Sequence, residues 1–141
     1  MYLAELLDHT GLDVLGHLDR QVAVPVVDGL QAQGDLIVVP RAMTGVDEGT
    51  SWWSLPLDGI ELVRGEDGNN PHTLVAEHGS CELTTWVPDP ENLAIAMVRN
   101  AAPVYLVHPE HGATGIAPGC WIVRRQREAG FGFRKAVLVA D

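Results

Sequence analysis

The stretch VHPEHGATGIAPGCWIVRRQRE runs from Val107 to Glu128, and its reading separates a β scaffold from a chemical site. Two histidines flank a carboxylate at its start, and three arginines fall within four residues near its end. Between them, Pro109 disfavours ladder pairing and Pro118-Gly119 is a turn signal. The segment HPEHGATGIAPG is therefore expected to be a loop or wide hairpin. It would link a strand that ends near Val107 to one that begins near Cys120. The second strand, GCWIVRRQRE, alternates at its start. Further on, Arg124, Gln126 and Glu128 fall on one face and Arg125 and Arg127 on the other. Charge on both faces suits an edge strand or a projecting ribbon, because charged edges block unwanted pairing.

Upstream, the chain is a succession of short apolar runs broken by turn formers. VAVPVV contains Pro25, which suits an edge strand. Gly34-Asp35 signals a turn before a short buried strand over 36–39. AMTGVDEGTSWW reads as a loop or hairpin, and the adjacent Trp52 and Trp53 point to opposite faces, with at least one expected in the core. IELV follows as a strand. HTLVAE and CELTTWV suggest a hairpin around HGS, and LAIAMV and VYLVH a second one around RNAAP. RKAVLV closes the chain. Turn signals recur about every 8–12 residues, the spacing of an antiparallel barrel or sandwich.

The first twenty residues differ. Leu3, Leu6 and Leu7 share a helical face, as do Leu12, Leu15 and Leu18, while Gly11 and Gly16 interrupt the pattern. Thr10 is placed to cap the second piece. The expectation is a mainly β fold, a small antiparallel barrel or sandwich with a short N-terminal helical segment. As one domain over 1–141, it has a helical flank over 1–20, acting as a lid on the open end of a sheet, and a β body over 22–141.

A chain of 141 residues buries roughly 68–70% of its unfolded surface, so its core needs no metal or disulfide. The net charge of −10 and pI near 4.8 repel phosphate backbones and argue against nucleic acid as a partner. The plain reading of that charge is solubility, and a basic partner is the sharper alternative. Cys81 and Cys120 form no CxxC, so they read as buried, reduced thiols of a cytoplasmic protein. The start of the chain lacks a basic n-region, and no apolar run reaches membrane-spanning length.

Four histidines beside strands are candidates for chemistry: His72 and His78 near Glu77, and His108 and His111 near Glu110. Imidazole with carboxylate is a ligand set for zinc, iron or manganese. His72, His108, Glu110 and His111 are thus the candidate metal ligands, provided a turn at Pro109 brings His108 and His111 together. The competing reading has these groups pinning the loop by hydrogen bonds, with Arg125 or Arg127 pairing Glu110. The RRQRE segment offers Arg124, Arg125 and Arg127 as a binding ridge, since arginine forks bind carboxylates. Its alternative is pairing with the chain's own Asp and Glu side chains. Ser80 and Cys81 near His78 lack a nucleophile elbow.

The order of GDLIVVP, LVRGEDGNNPHTLVA and APVYLVHPEHGATGIAPGCWIVRRQRE resembles a group of small, mostly uncharacterised bacterial β-rich proteins. Their pattern is a GExxGHxH segment followed by HxEHxxxxLpxGxYxVxxQRE. The resemblance covers residues 34–128. It rests on Gly65, Glu66, Gly68 and His72, then on His108, Glu110, His111, Gly119, Val123, Gln126, Arg127 and Glu128. Here NNPH replaces the His-x-His pair, and Trp121 stands where tyrosine is usual. A looser similarity is to cupin-like barrels. The resemblance implies a β fold and no particular chemistry.

Taken together, these features favour a non-enzymatic accessory or protein-binding module of a bacterial system, cytoplasmic and without a cofactor. The alternative is a metal-dependent, cupin-like barrel enzyme holding one divalent metal ion at the His/Glu set.

Overall fold

The computed structural model describes residues 1–11, 23–63, 71–129 and 136–138. Among these, two mostly antiparallel sheets pack face to face as a sandwich; the sheets do not close into a barrel. The first sheet has the order β1 (Val26–Val27), β10 (Gly112–Ile116), β9 (Val104–His108), β6 (His72–Ala76), β5 (Ile60–Val63). The second runs β2 (Gln31–Gln33), β3 (Leu36–Pro40), β11 (Gly119–Arg125), β8 (Ala94–Asn100), β7 (Cys81–Thr84), β4 (Trp53–Ser54). A separate ribbon joins β12 (Arg127–Ala129) to β13 (Ala136–Leu138).

The opening stretch departs from its expected form. HPEHGATGIAPG is not a plain loop. After a three-residue turn at 109–111, β10 pairs with β9, Gly112 opposite His108 and Ile116 opposite Val104. The small residues of GATGI leave room for β1 to join on the other side in parallel. The Gly115 N–H donates to the Pro25 carbonyl at 2.7 Å, and a Cβ on Gly115 would meet that oxygen at 2.9 Å. β1 is the expected edge strand with its proline. β11 is not an edge. It lies between β3 and β8, because Trp121, Ile122 and Val123 are buried on both faces and the arginines take only its last two ladder positions. The projecting ribbon is met one step later, at β12.

The two hairpins expected around HGS and RNAAP are crossovers. β6 and β9 belong to the first sheet, β7 and β8 to the second. The turn at 77–80 is closed by the Ser80 N–H and hydroxyl, both donating to the Glu77 carbonyl, and the Ala101 N–H donates to the Ser80 carbonyl at 2.8 Å. A third crossover, at 117–118, is pinned by Asn100 Nδ2 donating to the Ile116 and Ala117 carbonyls and by Trp121 Nε1 donating to Ala117 at 2.9 Å. Repeated crossing fills the space between the sheets with Leu36, Val38, Leu74, Leu83, Val98, Leu106, Ile116 and Val123.

Each sheet is covered on its outer side as well. Helix α1 (Leu3–Thr10) lays Leu3, Leu6 and Leu7 on Val75, Tyr105 and Val107. An eight-residue helix is marginal alone, so this apolar face holds it. It covers the face of a sheet and not an open end. Gly11 ends it, its N–H donating to the Leu7 carbonyl at 2.8 Å. Thr10 is the last residue of this helix, its hydroxyl on the Leu6 carbonyl, and does not start a second one. The second helical piece, with Leu12, Leu15 and Leu18, lies outside the described residues. Among the described residues, no helix is long and apolar enough to cross a membrane.

On the other side, the outward-facing Met97 and Ile122 are buried under Val46, Trp52 and Val87. Neither adjacent tryptophan reaches the core between the sheets. Trp52 is half-buried, with the Arg99 guanidinium 3.9 Å over its ring, and Trp53 is exposed on edge strand β4.

Candidate functional site

His72, at the start of β6, is fully buried and faces acceptors on both sides of its ring. Gln33 Nε2 donates to the Leu106 carbonyl at 2.9 Å, which leaves Gln33 Oε1 facing His72 Nδ1 at 2.9 Å. Nδ1 therefore carries a proton. Nε2 lies 3.2 Å from Asp35 Oδ1. The two-residue turn Gly34-Asp35, which joins β2 to β3 in the second sheet, thus reaches across to β6 and β9 of the first. A buried carboxylate needs such a partner.

His108 is engaged in the opposite sense. Its Nδ1 accepts the backbone N–H groups of Glu110 at 3.0 Å and His111 at 3.3 Å, so the neutral ring carries its proton on Nε2. The turn at Pro109 brings the rings of His108 and His111 to 4.5 Å, and His72 lies 4.6 Å from His108 on the other side. Asp35, His72, His108 and His111 form a row that leads from the interior to the surface, where His111 is exposed. Glu110 is exposed in the turn and, among the described residues, has no ion pair with Arg125. His78 lies exposed in the crossover turn, and the side chain of His9 and all of His17 lie outside the described residues.

A metal ligand must turn a lone pair to the ion. Both nitrogens of His72 and Nδ1 of His108 are directed at protein partners. Among the described residues, no group of three or more His, Cys, Asp or Glu side chains is disposed to hold a metal ion. The row is a polar clasp that ties the β2–β3 turn and the β9–β10 turn to β6.

Arg124, two residues after Ile122 on β11, lies on the outer face of the second sheet. Arg124 Nη2 is 3.6 Å from both Asp89 Oδ2 and Glu91 Oε2. Asp89 in turn accepts the N–H groups of Glu91, Leu93 and Ala94. Burial pushes the Asp89 carboxyl up, but these three donors together with Arg124 outweigh it and hold it below its ordinary range. Arg125 is half-buried at the end of β11, its N–H donating to the Leu93 carbonyl. The side chain of Arg127 lies outside the described residues.

Arg124 also lines a groove. One cleft of about 520 Å³ runs between 44–47 and 87–91. A second, about 310 Å³, shares Val87 and Pro88 with it and continues past Glu48, Gly49, Thr50 and Trp86. Its walls are joined where the Thr84 hydroxyl donates to the Thr50 carbonyl and accepts the Trp86 N–H. Gly49 is required there, since a Cβ would meet the Trp86 carbonyl at 2.6 Å. At this end Trp86 is 70% exposed. Asp47, Glu48 and Glu91 are exposed at the rim, Glu48 pairing with Arg99 at 3.5 Å.

The histidines and arginines were visible in the sequence. Gln33 and Asp35 were not, because their turn signalled only a hairpin. The unusual polar pair flanking Gly34 before an apolar strand was the available signal. Trp86, read as part of a strand, carried none.

The family described as Domain of unknown function (DUF8820) matches residues 32–126. The chain belongs to this family. The matched DUF8820 span holds the Asp35–His72–His108–His111 row, both groove walls and Arg124, and it excludes α1, β1 and the β12–β13 ribbon. No curated protein and no solved structure matches the chain.

Proposed function

We propose that this chain is a non-enzymatic, protein-binding accessory module of a bacterial system, and that the groove beside Trp86 takes a basic segment of its partner. The observation that carries the reading is the exposure of Trp86 at 70% beside a concave surface. Aromatic side chains anchor protein interfaces because they bury large area at small entropic cost. Asp47, Glu48 and Glu91 at the rim and the net charge of −10 set the sign of the partner. The same reading has the protein act in the cytoplasm, where the free thiols Cys81 and Cys120 stay reduced.

A displayed random-peptide library tests it. Enriched peptides should carry Lys or Arg beside an apolar residue. Trp86→Ala should weaken them by about tenfold or more while leaving the melting temperature unchanged. Peptides without charge preference, or equal binding to the variant, would overturn it. The alternative, a metal-dependent enzyme using His72, His108, Glu110 and His111, needs imidazole lone pairs that protein groups already engage. Stoichiometric metal in protein purified without a His-tag would restore it.

A further inference from the structure

We infer, building on the groove reading above, that the partner is a second copy of this chain, whose β12–β13 ribbon is the basic segment. The ribbon lies outside the family span. It has two strands, Arg127–Ala129 and Ala136–Leu138, and among the described residues it joins neither sheet. An isolated two-stranded ribbon is marginal in water, so it gains stability by packing against a further surface.

Charge and side-chain chemistry choose that surface. Residues 125–138 hold Arg125, Arg127, Arg134 and Lys135, four of the chain's nine Lys and Arg residues, against Glu128 alone. The stretch carries +3 and the rest of the chain −13. It also holds Phe131 and Phe133, the chain's two phenylalanines, directly before Arg134 and Lys135. The groove offers the complement, with Trp86 exposed and Asp47, Glu48 and Glu91 at the rim. Aromatic pairing and a cation over an indole face both favour such a contact. The Arg99 guanidinium, stacked on Trp52 and paired with Glu48 and Glu82, satisfies the same chemistry within the chain. At the base of the ribbon, the Gln126 N–H donates to the Asp35 carbonyl at 2.8 Å and ties it to the β2–β3 turn. β3 lies on one side of β11, whereas β8 and β7, whose connection forms a groove wall, lie on the other. No residue of 127–138 is among the described residues that line the groove. The ribbon of one copy therefore meets the groove of the next, head to tail.

Analytical ultracentrifugation of the full chain over a range of concentrations tests the pairing. The mean mass should rise above that of one chain as concentration increases, and added salt should lower it again. Trp86→Ala should weaken the association by about tenfold, and the double change Arg134→Gln, Lys135→Gln by about fivefold. Mixing the two variants should restore association, because one supplies an intact ribbon and the other an intact groove. Mixing would not rescue a variant that had only lost its fold. The mass of a single chain at every concentration, variants that associate like the wild type, or a mixture no more associated than its parts would each overturn the inference. Titration of the display-selected basic peptides separates the two levels. If they still bind the groove, only the choice of a second copy falls; if they do not, the groove reading falls with it.

Discussion

At the scale of residues, the decisive contacts are those that give His72 two acceptors and His108 two donors. Gln33 and Asp35 lie 39 and 37 positions from His72 in the chain, so the polar pair around Gly34 could mark itself as unusual without naming His72 as its partner. His108 is different. Its bonds to the N–H groups of Glu110 and His111 are local, and they follow from the turn that Pro109 implies. Replacing His72 with Ala strands Asp35 and Gln33 in the interior, and stability should fall by about 1–3 kcal/mol. The double change His108→Ala, His111→Ala should cost a similar amount, about 1–3 kcal/mol. Thermal melts with and without a chelator check both, and the chelator should not move the wild type. Cys81 is buried, and burial, followed by Glu82, pushes its thiol up to about 12. It should resist a thiol reagent until the protein unfolds. The half-buried Cys120 should react first, as peptide mapping after brief labelling would show.

At the scale of elements, the runs of apolar residues gave strands in nearly the right places, but their pairing was not legible. HGS and RNAAP look like hairpin turns because they are short and rich in turn formers, yet the same chemistry serves a step from one sheet to the other. GATGI looked like a loop because Pro109 and the Pro118-Gly119 turn signal bracket it. It is a strand because two neighbours need its slimness. Gly115→Ala should therefore loosen β1 and lower stability by about 1–3 kcal/mol, the usual cost of overpacking, with faster hydrogen exchange at the Gly115 and Ala117 amides, which bond Pro25 and Val27. The 87–94 segment is fixed by Asp89. Because the Asp89 carboxyl is held below its ordinary value of 3.8 in the fold, its stabilisation is complete above that value and disappears as pH falls through the folded-state value. Asp89→Asn should lower stability by about 1.5–3 kcal/mol near neutral pH. It should also flatten the loss of stability on acidification, as denaturant titrations across the acid range would reveal.

At the scale of the whole molecule, alternating runs identified a β sandwich or barrel, and two open sheets answer that question. The outer coverings were less legible. The leucines of α1 pointed to an apolar face without naming the sheet beneath it, and nothing local indicated that the 44–52 and 85–94 segments would roof Met97 and Ile122. That roof creates the groove on which the functional reading rests. It also turns Arg124 toward Asp89 and Glu91, leaving acidic side chains to face outward. The most direct measurement is a nuclear magnetic resonance map of the isotope-labelled chain with a basic, tryptophan-responsive peptide from the display selection. The account predicts shifts confined to 44–50, 85–91 and Arg124, lost in Trp86→Ala. Shifts centred on His72, His108 and His111, with the groove silent, would contradict it.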